Sequence, residues 1–552
     1  MKNEVDYSLY LVTDNTPAIL RGRDLVEVVR AAVEGGVTVV QLRDKTSDTA
    51  TLVRTAKQLH EVTKEYNVPL LVNDRVDVAL AAGVEGVHIG QDDMDLSTAR
   101  QLLGEDAIIG VTASSVEEAI RAARDGADYL GLGTIFSTAT YPILCHHLEL
   151  PAADLARSKE NTKSIIGTAG LREILLALSE QESIADVKTV CIGGINKSNC
   201  RRVVYQSVAK FKSVSGIAVV SAIVGADDPK DAAEELRRLV WAPPAFDCEQ
   251  RPLYHGTHEE IQERIPPVVG ALAAANPLCH NMTNLVVQNF AANVALCIGA
   301  SPIMSNNGLE AWDLARLGGS LVVNMGTVTP EGVSNYVYAL RAYNAAGGPC
   351  ILDPVGAGAT EQRRSAIKSL LAGGYFDVIK GNENEIAAVF AVGNNDNANA
   401  EQPQQRGVDS APSGASVEEK AQVVQRLARR EKNIVLMTGA TDLLSDGSTT
   451  FAIRNGHEYL GAITGSGCTL GTSIAAFMAA AKGEKLVAAL AGVLVYEIAA
   501  ERAAARGDVK GPGTFVSAFL DELYRIRKET VDGDTAWLQA AKVENLVLEE
   551  ED

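Results

Sequence analysis

The chain has 552 residues, too many for one hydrophobic core, so two large domains or more are expected. Its 50 Lys and Arg stand against 70 Asp and Glu, a formal charge of −20, which speaks against nonspecific binding to nucleic acid or to an anionic membrane. The eight cysteines are scattered with no C-x-x-C pair, no secretory leader is visible at the N-terminus, and no run of 18 residues is free of polar breaks; a reduced, cytoplasmic protein without a membrane partner is expected.

Over residues 1–240, short β-rich runs alternate with amphipathic helical segments. The predicted strands are Leu9–Asp14, Val37–Asp44, Pro69–Asp74, Gly86–Gln91, Ile108–Thr112, Tyr129–Ile135, Thr189–Gly194 and Gly216–Ser221. Between the first two, Leu25–Val33 carries apolar residues at helical spacing behind Asp24, a cap residue with Glu27 three places on. Eight such units predict a (β/α)8 TIM barrel. Residues 241–260, with adjacent prolines and no period, read as a linker. Residues 261–552 read as a second α/β domain, with buried parallel strands at Leu321–Met325, Cys350–Val355, Phe376–Lys380 and Ile434–Thr438. The polar tract at about 392–416 reads as a disordered surface insertion.

In a parallel barrel, chemistry collects where strands end. The second strand ends in Gln41-Leu42-Arg43-Asp44-Lys45, and alternation puts Gln41, Arg43 and Lys45 on one side. Two cations and an amide there suit a diphosphate. The third strand ends in Asn73-Asp74 and the fourth runs into Gln91-Asp92-Asp93. Asp74 and Asp93 beside a basic clamp suit Mg2+ bridging to that diphosphate. Thr112 ends the fifth strand, and Thr138 and Thr140 follow the sixth. Gly193-Gly194 and Val220-Ser221 end the seventh and eighth, where such barrels usually grip phosphate. Taken singly, each motif also describes a solvated strand end or a tight turn. Their recurrence at successive strand ends is what favours a site.

These stretches, together with Leu11–Asp14, Val87–Asp93, Gly131–Phe136 and Cys191–Ile195, resemble thiamine phosphate synthase over about residues 7–235. The resemblance implies the joining of 4-amino-2-methyl-5-hydroxymethylpyrimidine diphosphate to a thiazole phosphate, releasing pyrophosphate. It places the pyrimidine diphosphate on Gln41, Arg43, Lys45, Asn73 and Thr112. It places Mg2+ on Asp74 and Asp93, and the thiazole phosphate on Thr138, Thr140, Gly194, Val220 and Ser221. The sequence departs from the family where a diphosphate-binding lysine should follow Thr140: Tyr141 stands there. The family-like pattern resumes at Lys159 after an intervening Tyr141–Ser158, so the resemblance assigns the lysine's catalytic role to Lys159.

The second domain contains Ile463-Thr464-Gly465-Ser466-Gly467-Cys468-Thr469-Leu470 before an Ala-rich apolar run. Glycines at a helix start leave backbone N–H groups bare at the positive helix end, a cradle for a transferring phosphoryl group. No Gly-Lys-Ser/Thr follows, so it is not a Walker loop. The run also reads as a plain turn capping a buried helix. With His280–Asn284, Gly299–Met304, Asn324–Thr327, Asp353–Thr360, Lys380–Glu385, Met437–Gly439 and Gly511–Phe515, it is similar to hydroxyethylthiazole kinase, of the ribokinase-like superfamily, over about residues 262–545.

That resemblance implies phosphorylation of 4-methyl-5-(2-hydroxyethyl)thiazole by ATP. It puts ATP and its Mg2+ on Asp353, Lys380, Glu385, Thr438, Gly465, Ser466 and Gly467, and the thiazole on Asn284, Met304 and Gly465. Cys468 stands where the wider superfamily has an aspartate base. A helix start favours a thiolate, and Cys468 either takes the alcohol's proton or positions the alcohol. The kinase product is the synthase's second substrate, so a fusion of two consecutive activities in thiamine biosynthesis is expected, as a homo-oligomer built on the kinase family's trimer. Two alternatives stand beside it: a kinase whose barrel only binds thiamine phosphate, and a kinase for another small alcohol.

Overall fold

The computed structural model describes residues 2–136, 165–250, 257–392 and 414–548. Internal contacts divide the chain into two units, Met1–Pro243 and Pro244–Asp552. Thr138, Thr140, the Tyr141–Ser158 stretch, Lys159 and most of the polar tract near 392–416 lie outside the described residues.

Eight strands form the first unit: β1 (Leu9–Val12), β2 (Val39–Leu42), β3 (Leu70–Asn73), β4 (Gly86–Ile89), β5 (Ile108–Ala113), β6 (Tyr129–Gly133), β7 (Lys188–Ile192) and β8 (Gly216–Val219). All pair in parallel, and β8 returns to β1 to close the barrel. Each predicted strand is present. Most stop one or two residues short of the expected polar end, because those residues have left the ladder and project at the mouth. Period two sorts the side chains of β1: Leu9 and Leu11 join the layer against the helices, while Tyr10 and Val12 face inward. The helix Leu25–Glu34 covers that outer layer with Val28, Val29, Ala32 and Val33, and the Asp24 carboxylate caps it by accepting from the Val26 and Glu27 amides.

Two strand glycines shape the barrel interior. A Cβ at Gly110 would overlap the Tyr129 ring, and one at Gly131 would lie 2.8 Å from His88 Cε1. Absent side chains on β5 and β6 are therefore what admit two large polar-tipped residues.

The second unit is a nine-stranded sheet. In chain order its strands are β9 (Leu278–Met282), β10 (Ser301–Ile303), β11 (Ser320–Asn324), β12 (Cys350–Asp353), β13 (Val378–Asn382), β14 (Ile434–Thr438), β15 (Asp442–Ser445), β16 (Thr450–Ile453) and β17 (Val543–Asn545). Their spatial order is β10-β9-β11-β12-β13-β14-β15-β16-β17, parallel through β14 and antiparallel beyond it. The four strands predicted from the sequence are β11 to β14, which have apolar cores on both faces. The five others escaped prediction. The polar pair His280-Asn281 interrupts β9, and β10 and β15 to β17 are only three or four residues long. Within the stretch expected to link the domains, Phe246 is buried and stacks on Tyr375 (centroids 4.1 Å apart, planes 14° apart). A helix begins at His258, with Thr257 capping the Glu260 amide. Among the described residues no helix is long and apolar enough to cross a membrane.

Gly110→Ala should destabilise the barrel by about 1–3 kcal/mol, since the added methyl has no free space beside Tyr129. Urea unfolding should show the barrel's transition at a lower midpoint and the second unit's transition unmoved.

Candidate functional site

Polar side chains gather at the C-terminal ends of strands in both units. In the barrel, Gln41 points inward from β2, is 4% exposed, and donates from Nε2 to Tyr10 Oη at 2.9 Å. The chain beyond β2 is held by the Thr13 hydroxyl, which accepts the Arg43 amide at 2.9 Å. Lys45 reaches across to Asp74, Nζ to Oδ2 3.5 Å. Asn73 closes β3 and is half-buried. Asp74 follows it at φ 63°, a left-handed conformation that a non-glycine residue adopts at a cost, and its amide donates to the His88 carbonyl at 2.8 Å.

Asp74 and Asp93 meet side chain to side chain, and Asp93 Oδ2 accepts the Gly90 amide at 2.7 Å. Burial and then Asp93 raise Asp74 above the ordinary carboxylate range, while Lys45 pulls it down. Two adjacent carboxyls, one of them paired with Lys45, fit a divalent cation. Among the described residues no group of three His, Cys, Asp or Glu side chains is placed to hold a metal ion by itself, so diphosphate oxygens and water would complete such a shell.

Thr112 Oγ1 lies 2.8 Å from His88 Nε2, and the Thr112 carbonyl accepts from Gln91 Nε2 at 2.6 Å. Burial pushes the His88 imidazole down to about 4, so the ring is neutral near pH 7. Gly194 follows β7 at φ 66°, and its carbonyl accepts from the side-chain amides of Asn196 and Asn199. Val220 and Ser221 open a single turn of helix beyond β8. These two strand ends are neighbours through the β7–β8 pairing. With Thr138, Thr140 and Lys159 outside the described residues, this half of the expected site is seen only through Gly194, Val220 and Ser221.

In the second unit, four sequence-distant residues form one row, half-buried at Asn284 and buried from Asn324 onward. Asn284 Nδ2 donates to Asn324 Oδ1 (3.2 Å), and Asn324 Nδ2 donates to Asp353 Oδ2 (2.8 Å). Asp353 Oδ1 in turn holds Lys380 Nζ at 3.2 Å. Burial raises Asp353, against the pull of Lys380 and Asn324. Burial alone would lower Lys380, but Asp353, Cys468 and Glu385 outweigh it and keep the ammonium charged.

The helix Ser466–Ala480 starts over this row, with Gly465 at φ 83° as its N-cap and no side chain capping it. A Cβ at Gly467 would lie 3.6 Å from Lys380 Nζ, so the helix end and the ammonium share one space. Ser466 offers only its amide, because its hydroxyl donates back to the Leu460 carbonyl at 2.6 Å. The Cys468 thiol is pushed up to about 11 by burial and then by Asp353. Sequence reasoning gave a helix start that favours a thiolate. Partial burial beside Asp353 overrides it and keeps the thiol protonated.

Glu385 is locked by two amides, Gly356 to Oε1 and Asn382 to Oε2, each at 2.8 Å. Burial and Asp353 push it up to about 7. Asp353 and Glu385 both accept hydrogen bonds and lie beside Lys380, a donor set that fits Mg2+ on a nucleotide. Thr438 ends β14 at the same edge, and the Gly439 amide behind it is held by Asp442 Oδ1 at 2.8 Å. Met304 sits one residue past β10, half-buried, at the strand end that neighbours β9. An open cavity of about 450 Å3 touches Thr464 and Val286 but is lined by none of Asn284, Met304 and Gly465.

Sequence reasoning missed Asn324, which ends an apolar strand as Asp353 does, and missed Tyr10, His88 and Tyr129. Their signal was a polar tip at an inward position of a barrel strand.

Glu385 yields a pH prediction for the protein without nucleotide or Mg2+. Between its ordinary 4.5 and about 7 the folded chain keeps a proton that the unfolded chain releases. Its contribution is therefore full below pH 4.5 and is lost as pH rises toward 7. Glu385→Gln has no such loss, so its Tm relative to wild type should climb between pH 5 and pH 8. A constant Tm difference would contradict the assignment.

Two family models match the chain: the hydroxyethylthiazole kinase family over residues 269–529 and thiamine monophosphate synthase over residues 9–154. A probable thiamine biosynthetic bifunctional enzyme of Schizosaccharomyces pombe is 42% identical over 550 residues, covering 99% of each chain. A thiamine biosynthetic bifunctional enzyme of Saccharomyces cerevisiae is 35% identical, covering 96% of this chain and 97% of its own. A thiamine-phosphate synthase of Clostridium novyi is 41% identical over 236 residues, which is 43% of this chain and all of the bacterial one.

Proposed function

The chain belongs to the family of thiamine biosynthetic bifunctional enzymes, with a thiamine-phosphate synthase domain and a hydroxyethylthiazole kinase domain, and on that premise we propose how its residues divide the two transfers. The second unit moves the terminal phosphoryl group of ATP onto the hydroxyl of 4-methyl-5-(2-hydroxyethyl)thiazole. The barrel joins the resulting thiazole phosphate to 4-amino-2-methyl-5-hydroxymethylpyrimidine diphosphate, giving thiamine phosphate and pyrophosphate. The observation that carries the kinase reading is the buried Lys380 ammonium beneath the uncapped helix start at Ser466–Cys468.

In the kinase domain, those amides and Lys380 face the charge that spreads over a phosphoryl group in transfer. Asp353 and Glu385 would hold Mg2+, which supplies charge neutralisation on the nucleotide phosphates. Asn284, Met304 and Gly465 hold the thiazole, and Thr438 the nucleotide. Cys468, kept protonated by burial and by Asp353, orients the alcohol and does not need to take its proton, because a loose phosphoryl transfer asks little of a base.

In the barrel, the bond between the pyrimidine methylene and the diphosphate breaks, and the electron pair leaves with the diphosphate. Arg43, Lys45, Asn73, Thr112 and Lys159 take up that charge. The thiazole nitrogen then donates its lone pair to the methylene cation, with Gln41 holding the pyrimidine and Thr138, Thr140, Gly194, Val220 and Ser221 the phosphate of the second substrate. Asp74 and Asp93 would hold the Mg2+ that neutralises the leaving group. No covalent nucleophile is needed; alignment and charge neutralisation suffice. A trimer-based homo-oligomer is supported by the exposure of Leu285 (79%) and Val286 (74%) beside Asn284, and a cytoplasmic location by the free state of the seven described cysteines.

Purified chain given Mg2+, ATP, hydroxyethylthiazole and the pyrimidine diphosphate should form thiamine phosphate and pyrophosphate. Lys380→Met should lower thiazole phosphorylation by at least about a hundredfold and leave the barrel's reaction on supplied thiazole phosphate intact. Asp93→Asn should do the reverse. Thiazole phosphate accumulating without pyrophosphate in the wild type would reduce the barrel to a binding module.

A further inference from the structure

Five polar side chains run in an unbroken hydrogen-bonded row through the barrel interior. Gln41 Nε2 donates to Tyr10 Oη at 2.9 Å, and the Tyr10 and Tyr129 hydroxyls are 2.7 Å apart. His88 Nδ1 is 2.8 Å from Tyr129 Oη, and His88 Nε2 is 2.8 Å from Thr112 Oγ1. Tyr10, Tyr129 and Gln41 are at most 4% exposed. The space for the row is made by Gly110 and Gly131, whose missing side chains leave room for the Tyr129 and His88 rings. Each end of the row is a residue of the proposed pyrimidine diphosphate site.

Counting protons fixes the direction of the row. Each hydroxyl carries one proton, and a neutral imidazole carries one on either nitrogen. Gln41 donates to Tyr10, so the Tyr10 proton must go to Tyr129, its other hydrogen-bond partner among the described residues. The Tyr129 proton then goes to His88 Nδ1. That nitrogen is therefore bare, Nε2 bears the proton, and it donates to Thr112 Oγ1. The Thr112 proton is the one left over, at the mouth. Running the row backwards strands the Tyr10 proton in the interior as a buried donor without a partner. A doubly protonated His88 fails in the same way, because it too would drive the Tyr129 proton onto Tyr10.

We propose that Tyr10, Tyr129 and His88 are positioning residues of the synthase reaction, transmitting the direction set by the Gln41 amide so that the Thr112 hydroxyl is presented as a donor to an anionic oxygen of the diphosphate. The proposal rests on the synthase reading of the barrel. It separates two roles at one site: Gln41 and Thr112 touch the substrate, and the three residues between them carry the orientation of the Gln41 amide to the Thr112 hydroxyl.

Two measurements on the full-length chain test this. Nitrogen-15 spectra of the histidine rings, with the His88 signal identified by its loss in His88→Gln, should show the Nε2–H tautomer. An Nδ1–H ring would mean that the Gln41 carbonyl faces Tyr10 and every bond runs the other way, which overturns the proposal. In kinetics, Tyr129→Phe should lower the synthase kcat by about tenfold with little change in KM for the pyrimidine diphosphate, since a misdirected donor costs alignment rather than binding. The same substitution on a Thr112→Val background should cost nothing further. Additive losses, or a loss in KM alone, would overturn the proposal. Thiazole kinase activity of the same samples, expected within twofold of wild type, reports the amount of folded chain. A wild type that releases no pyrophosphate would defeat the synthase reading instead, and the ring tautomer would still report the direction of the row.

Discussion

A polar group inside a parallel sheet is cut off from water, so leaving its donors and acceptors without a partner in the protein is costly. Both units are organised by that constraint. In the barrel it produces the row from Gln41 to Thr112, in which each hydrogen bond fixes the next. In the second unit it produces the row from Asn284 through Asn324 and Asp353 to Lys380. The barrel row runs from Gln41 near the end of β2 to Thr112 near the end of β5, and the second row from Asn284 just past β9 to Lys380 within β13.

The constraint also sets charge states. Lys380 and Asp353 are both within a few per cent of full burial, and their mutual attraction offsets what each loses in leaving water. Removing either partner would leave an uncompensated buried charge, commonly about 3–5 kcal/mol. Glu385 and Cys468 stand in the same enclosure and answer differently, by holding on to protons. The kinase site is therefore charged at Lys380 and neutral at Cys468. An anion approaching the helix start meets a cation and bare amides. A net charge of −20 does not oppose this, because anion affinity here is a local matter of one ammonium and a few amides at a helix start.

The barrel was legible almost strand by strand, because strands buried on both faces must be apolar and their ends must be polar. Asp24 capped its helix as its position indicated. The kinase motifs named Asp353, Lys380, Glu385 and the Gly465–Cys468 turn, and the structure draws Asp353, Lys380 and that turn into one enclosure. Strand β9 was not legible, since His280 and Asn281 in its buried middle look like a loop until their partners are known. Nor was Asn324, an ordinary polar residue until it is seen bridging Asn284 and Asp353.

The sequence by itself determined the two α/β units, the eight barrel strands and the four central strands of the second sheet, and the residue types at the strand ends, because burial periodicity and end polarity are written locally. It also carried the family resemblance, which whole-length similarity to bifunctional relatives supports. Only the tertiary structure decided direction and protonation. Whether Cys468 is thiol or thiolate and which nitrogen of His88 bears the proton depend on neighbours tens of residues or more away in the chain, and whether Ser466 offers a hydroxyl or an amide depends on how the turn back to Leu460 is folded. Hydrogen-bond geometry and desolvation are properties of the enclosure, and the enclosure exists only once distant strands and helices have closed around it.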